Sequence, residues 1–201
     1  MIYAIIFLGI VLFALGVLVL LRKFQYDVVH RNFLALEDRY GGKIIRGGFA
    51  VRPRYVGEIE GNRFSVSIST EKNKQGSGRI YYLSFFMQKA ADANFTIMSV
   101  DWLGKNVEAH RKKGQVKPIF QGKYQVEAAQ KELFKKMDWP RMEEIVQQIH
   151  PFAYALVSSR GIVLERLSTN LARDTEFEQI NPVINGMLKL GHLLQPTESS
   201  Q

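Results

Sequence analysis

Residues 63–71 read RFSVSISTE. Phe64, Val66 and Ile68 alternate with Ser65, Ser67 and Ser69, and successive strand side chains point to opposite faces, so one face of this segment is core and the other small and polar. Just upstream, RPRYVGEIE followed by Gly61 and Asn62 completes a hairpin with it. Downstream, KNKQGSG (72–78) has the composition of a loop. RIYYLSFFMQ (79–88) has the aromatic and β-branched density of a central strand, and NFTIMSV (94–100) supplies a further one. The middle of the chain thus reads as four antiparallel strands.

Helical periods flank this meander. Tyr26, Val29, Phe33, Leu36 and Tyr40 fall on one stripe of a helix that Gly41 and Gly42 close, because glycine accepts the left-handed backbone of a helix end. The stripe suits packing on the protein's own sheet better than a membrane-proximal coiled coil joining a homodimer, since a heptad seam needs three or four repeats. Further on, Asp138 caps a helix with Pro140 in its first turn. Met142, Ile145, Val146 and Ile149 form its apolar stripe, and Pro151 ends it. AYALVSS and GIVLERLS then pair around Arg160 and Gly161. A last helix opens with Thr175 and Glu178 in capping-box register and runs through Phe177, Ile180, Ile184, Met187, Leu188 and Leu194, bent at Pro182. The expected fold class is α+β, a largely antiparallel sheet with helices packed on one face, following an N-terminal transmembrane helix.

That transmembrane helix is read from Ile2 to Leu21, which carry no charge and would span about 30 Å as a helix, the thickness of a bilayer's hydrocarbon core. A cleaved signal peptide would show a basic start, a shorter apolar core and a small-x-small cleavage site; here no Lys or Arg precedes the apolar run, the run is long, and VLVLLRKF after it has no such site. A signal anchor is the better reading. Gly9 and Gly16 share a helix face but lack the Gly-x-x-x-Gly spacing of a helix dimer. Arg22, Lys23, Arg31 and Arg39 all follow the span and no Lys or Arg precedes it. The positive-inside rule therefore expects a single-pass cell-membrane protein with its C-terminal domain in the cytoplasm. The divisions are residues 1–23 as anchor, 24–42 as membrane-proximal helix, 43–194 as the α+β domain and 195–201 as a polar tail.

Charge is unevenly spread along the chain. Through Met137 there are 22 Lys and Arg against 11 Asp and Glu, and from Asp138 onward 5 against 8. The densest group is Lys105, Arg111, Lys112, Lys113 and Lys117, which would form a basic surface facing anionic lipid, each charge near the leaflet worth about 1 kcal/mol. Nucleic acid is the weaker reading of HRKKGQVK, because no helix-turn-helix, finger or RNP-like strand accompanies it.

The chemistry-bearing motifs are missing. With no cysteine, disulfides, thiolate zinc sites, iron–sulfur clusters and cysteine nucleophiles are excluded. There is no Gly-x-Ser-x-Gly, no phosphate loop and no His-Glu-x-x-His; GGKIIRGG lacks dinucleotide-loop spacing. His30, His110, His150 and His192 are dispersed without metal-ligand spacing. The paired carboxylates are Glu143 with Glu144, and Glu58 with Glu60, which would share a strand face. No catalytic, cofactor or metal residue is assigned.

The layout of an apolar anchor, a helix ending in GG, the strand pair RPRYVGEIEGNRFSVSI, and GKYQVEAAQKELFKKM leading into helix, hairpin and helix resembles bacterial single-span proteins with a membrane-anchored α+β domain and no characterised activity. The resemblance covers most of the chain and lends no catalytic residues. The function expected is non-enzymatic, docking a cytoplasmic protein or the anionic lipid surface. The alternative is a membrane-tethered enzyme whose site is assembled only in the fold.

Overall fold

The serine-alternating segment lies in an antiparallel sheet whose strands were placed, with the helices around them, in a computed structural model describing residues 2–72, 78–89, 93–105, 114–128 and 130–193, with backbone alone at Lys105 and Lys131. The described residues form nine strands: β1 (Lys43–Ile45), β2 (Arg54–Ile59), β3 (Asn62–Lys72), β4 (Arg79–Met87), β5 (Phe95–Ser99), β6 (Gln115–Ile119), β7 (Tyr124–Ala128), β8 (Tyr154–Ser158) and β9 (Gly161–Ser168). Their order is β1-β2-β3-β4-β9-β8-β5-β7-β6, with every neighbouring pair antiparallel. Helices are α1 (Ile2–Tyr40), α2 (Val100–Lys105), α3 (Lys131–Lys136), α4 (Trp139–Ile149), α5 (Leu171–Asp174) and α6 (Phe177–Leu193). The α+β fold with an N-terminal apolar helix is as the sequence predicts.

Alternation decides the two faces. Val66 pairs across with Phe85, and Phe85 with Leu164; Leu164 lies opposite Ala155, which continues to Ile97 and Val126. All six are fully buried. They meet α1, α4 and α6, whose apolar stripes supply Phe33, Leu36, Met142, Val146, Ile184 and Met187. Burying a large side chain of this kind stabilises the fold by about 1.5–3 kcal/mol. Where α4 and α6 cross, Gly186 is required by proximity: a Cβ there would run into the side chain of Ile149. On the opposite face stand Ser65, Ser67 and Ser69 of β3 and Ser84 of β4.

α1 joins two environments in one helix. From Ile2 to Arg22 every residue is exposed, and this part is long and apolar enough to cross a membrane. From Tyr26 onward the predicted stripe turns inward, with Tyr26, Val29, Phe33 and Leu36 buried and Tyr40 packed at the margin. That stripe is covered by the protein's own domain.

Strand directions define two poles. The end of β3 meets α1, since Arg52, whose Nε is 3.4 Å from Tyr26 Oη, also donates to the Ile68 carbonyl and to Thr70. This is the proximal pole, where α1 leaves the domain. By the antiparallel pairings β3, β6, β5 and β9 end there, and β4 and β8 begin there.

Several sequence expectations change. Nine strands replace the predicted meander and hairpin, because β1, β6 and β7 lacked a strong strand signature. β6 is an edge strand containing Pro118, a residue that edges tolerate. Asp138 does cap α4, accepting from the Arg141 amide. The capping box does not form: Thr175 Oγ1 turns back to the Leu171 carbonyl at 2.6 Å, ending the short α5, and receives Asn32 of α1. The helix bearing Pro182 starts only at Phe177.

Candidate functional site

A cleft of about 830 Å³ wraps around the strand ends at the proximal pole. Tyr81 and Tyr82 at the start of β4 and Arg166 to Ser168 at the end of β9 form its floor. Trp102 on α2 and Phe152 ahead of β8 wall it, while Glu71, Lys72, Arg79 and Asp101 place charge around it.

Each wall is held by local chemistry. Ser99 Oγ accepts from the Trp102 amide at 3.4 Å where β5 gives way to α2, and the Trp102 ring packs against Tyr154 with centroids 5.3 Å apart. Phe152 stacks on Tyr124 at 4.4 Å, and its amide donates to Tyr124 Oη at 3.1 Å. The Tyr124 hydroxyl also lies 2.9 Å from His150 Nδ1. Burial first, then the positive Lys123 and Arg166, hold the His150 pKa below its ordinary value, so the imidazole is neutral near pH 7. At the end of β9, Ser168 Oγ donates to Asp174 at 2.8 Å, and Arg166 donates to the Gln179 carbonyl at 3.1 Å. These bonds tie the cleft floor to α5 and α6.

Tyr82 on the cleft floor and Tyr154 behind Trp102 are held in their protonated form by burial. Burial, reinforced by the negative Glu165, pushes Tyr154 up to about 12, and burial also raises Tyr82. Glu165 sits on the serine face, accepting from Ser84 at 2.5 Å and Ser69 at 3.3 Å. Burial raises its carboxyl pKa, and the two serine bonds oppose that rise. Aromatic walls with a mixed-charge rim can hold an amphipathic molecule, with its apolar part on the rings and its polar part at the rim.

At the opposite pole, His192 Nε2 lies 3.2 Å from Glu60 Oε2 and its Nδ1 lies 3.4 Å from Lys89 Nζ. Glu58 and Glu60 therefore do not share a strand face: β2 ends at Ile59, and Glu60 occupies the left-handed turn position with φ 51°. Among the described residues no group of three or more His, Asp or Glu is arranged as a metal would need.

The five basic residues singled out in the sequence are only partly placed. Arg111, Lys112 and Lys113 lie outside the described residues, as does His110, and Lys105 is described by its backbone at the end of α2. Lys117 is on the edge strand β6, its Nζ 3.8 Å from the centre of the Trp139 ring, a cation–π contact. β5 delivers α2 to the proximal pole, whereas β6 begins at the far pole. Sequence reasoning missed the cleft, because its residues come from six separate stretches. The density of aromatics in RIYYLSFFMQ was the one available signal.

No family model and no curated protein sequence matches the chain. Among solved structures, the fold is similar to that of the mycobacterial trehalose monomycolate transport factor A, TtfA. The TM-score is 0.54 at 8% identity, covering 83% of this chain and 94% of that one. At that identity the likeness is one of fold.

Proposed function

We propose that this chain is a non-enzymatic, single-span membrane factor. Residues 2–21 of α1 cross the bilayer, the domain stands on the cytoplasmic side, and the proximal cleft receives the headgroup of a membrane lipid. The observation that carries this reading is that the cleft and the exit of α1 share a pole, so the cleft is held within reach of the lipid surface. The cytoplasmic side rests on Arg22, Lys23, Arg31 and Arg39, which all follow the span. Of the basic residues singled out in the sequence, Lys105 at the end of α2 is the one carried to the proximal pole, where it would add attraction to an anionic leaflet. The shared fold with a protein described as a trehalose monomycolate transport factor supports lipid handling over catalysis as the domain's work.

The test is covalent capture. A photoreactive side chain replacing the exposed Leu167 on the cleft floor, in the full chain in its native membranes, should acquire a lipid adduct on irradiation, read by mass spectrometry. A protein adduct would replace the lipid reading with docking of a cytoplasmic protein. The same adduct yield from a probe at the far-pole Arg160 would remove the cleft from the account.

A further inference from the structure

The loop between β1 and β2, Arg46–Gly47–Gly48–Phe49–Ala50–Val51, is strapped to α1 just where that helix leaves the apolar segment. Arg46 donates to Asp27 at 2.6 Å and, through its other terminal nitrogen, to the Phe49 carbonyl at 2.8 Å. Lys23 holds the second oxygen of Asp27 at 2.7 Å. At its far end the loop is fixed by Arg52, through Ile68 and Thr70 of β3. Between these fastenings the side chains point outward: Phe49 is 58% exposed and Val51 47%.

Exposed apolar groups on a loop are ordinarily solvated singly, but here the position is informative. The Lys23 ammonium lies 5.3 Å from the centre of the Phe49 ring and 5.8 Å from that of Phe24. Lys23 follows the last residue of the apolar run by two positions, about 3 Å along a helix. Phe49 is therefore about level with the end of the apolar run of α1.

We propose that this loop is a second membrane contact, with Phe49 and Val51 seated at the headgroup–acyl boundary of the bilayer that α1 enters, and Lys23 and Arg46 at the phosphate level above them. The inference rests on residues 2–21 being a membrane span and is independent of what the cleft binds. Two attachments fix the rotation of the domain about α1 as well as its height.

Because the chain has no native cysteine, Phe49→Cys gives a unique site for a nitroxide label. The labelled full chain is reconstituted into vesicles of phosphatidylcholine with a minority of phosphatidylglycerol, and the accessibility of the label to oxygen and to a water-soluble nickel chelate is measured. Leu18→Cys in the span and Arg160→Cys at the far pole are the references, and Val51→Cys is a second probe of the loop. Labels at 49 and 51 should resemble the one at 18, with gain of oxygen collisions and loss of nickel collisions. Labels at 49 and 51 that behave like 160 while 18 is in lipid overturn the loop contact alone. A water-exposed label at 18 overturns the span and the loop contact together. Labels at 49 and 51 shielded from both probes would mean that protein covers the loop, which also overturns the assignment to lipid.

Discussion

The two faces of the sheet are built from alternate residues of the same strands and do different work. On one, Val66, Phe85, Leu164 and Ile97 are sealed under α1, α4 and α6. On the other, Ser69, Ser84 and Glu165 make a hydrogen-bonded polar strip beside Ser67, and Tyr82, Trp102 and Leu167 carry that face into the cleft. Stability is concentrated on the first face. The second buries fewer apolar side chains, Tyr82 and Met98 among them, and is where the cleft opens.

The contrast can be broken by substitution. Every buried side chain of α1 lies at Tyr26 or later, so a fragment starting at Arg22 keeps the whole core and should unfold cooperatively in urea. In that fragment Phe85→Ala should cost about 3–5 kcal/mol, the range for deleting a buried ring. A loss under about 1 kcal/mol would mean that the helix-covered face is not the core.

Glu165→Gln should have a smaller, pH-dependent effect. Burial raises the folded-state carboxyl pKa, so between the ordinary carboxylate value and the raised one the folded protein holds more protons than the unfolded chain. The stability contributed by protonated Glu165 is present below that window and is lost as pH rises through it. Glutamine has no proton to lose. The variant should therefore gain on the parent as pH increases across the window, and parallel stability profiles would show that the Ser69 and Ser84 bonds cancel the burial. The smallest effect belongs to Ser67→Ala on the same polar face, within about 0.5 kcal/mol by the same denaturation measurement. A larger loss would assign that face a share of the core.

The parts visible in the sequence were those with a period. The stripe from Tyr26 to Tyr40, the alternation at 63–71 and the Asp138 cap depend on neighbours a few residues away, and the structure realises each. β7 carried a short signal in Tyr124, Val126 and Ala128 alternating with Gln125 and Glu127, five residues in all. β1 is three residues long, and β6 mixes Lys117 with Pro118, so neither has a period to detect. The cleft depends on β4 pairing with β9 and β5 with β8, contacts between residues more than 50 positions apart, and no local pattern encodes them. The Thr175 and Glu178 spacing misled because a buried threonine found carbonyls behind it before amides ahead of it.

α1 has no hinge. Its 39 residues make a rod of about 58 Å, and only about 6 Å of it, Arg22 to Gln25, separates the end of the uncharged apolar run from the first residue clamped in the domain. Mechanically the domain is a flag fixed to a mast and not a weight on a tether. With residues 2–21 as the proposed span, any lean the helix adopts in the bilayer, commonly about 20°, would be handed to the domain as the same angle. Membrane thickness, by setting that lean, would then steer the mouth of the cleft toward or away from the lipid surface, making the bilayer itself an input to the proposed headgroup binding.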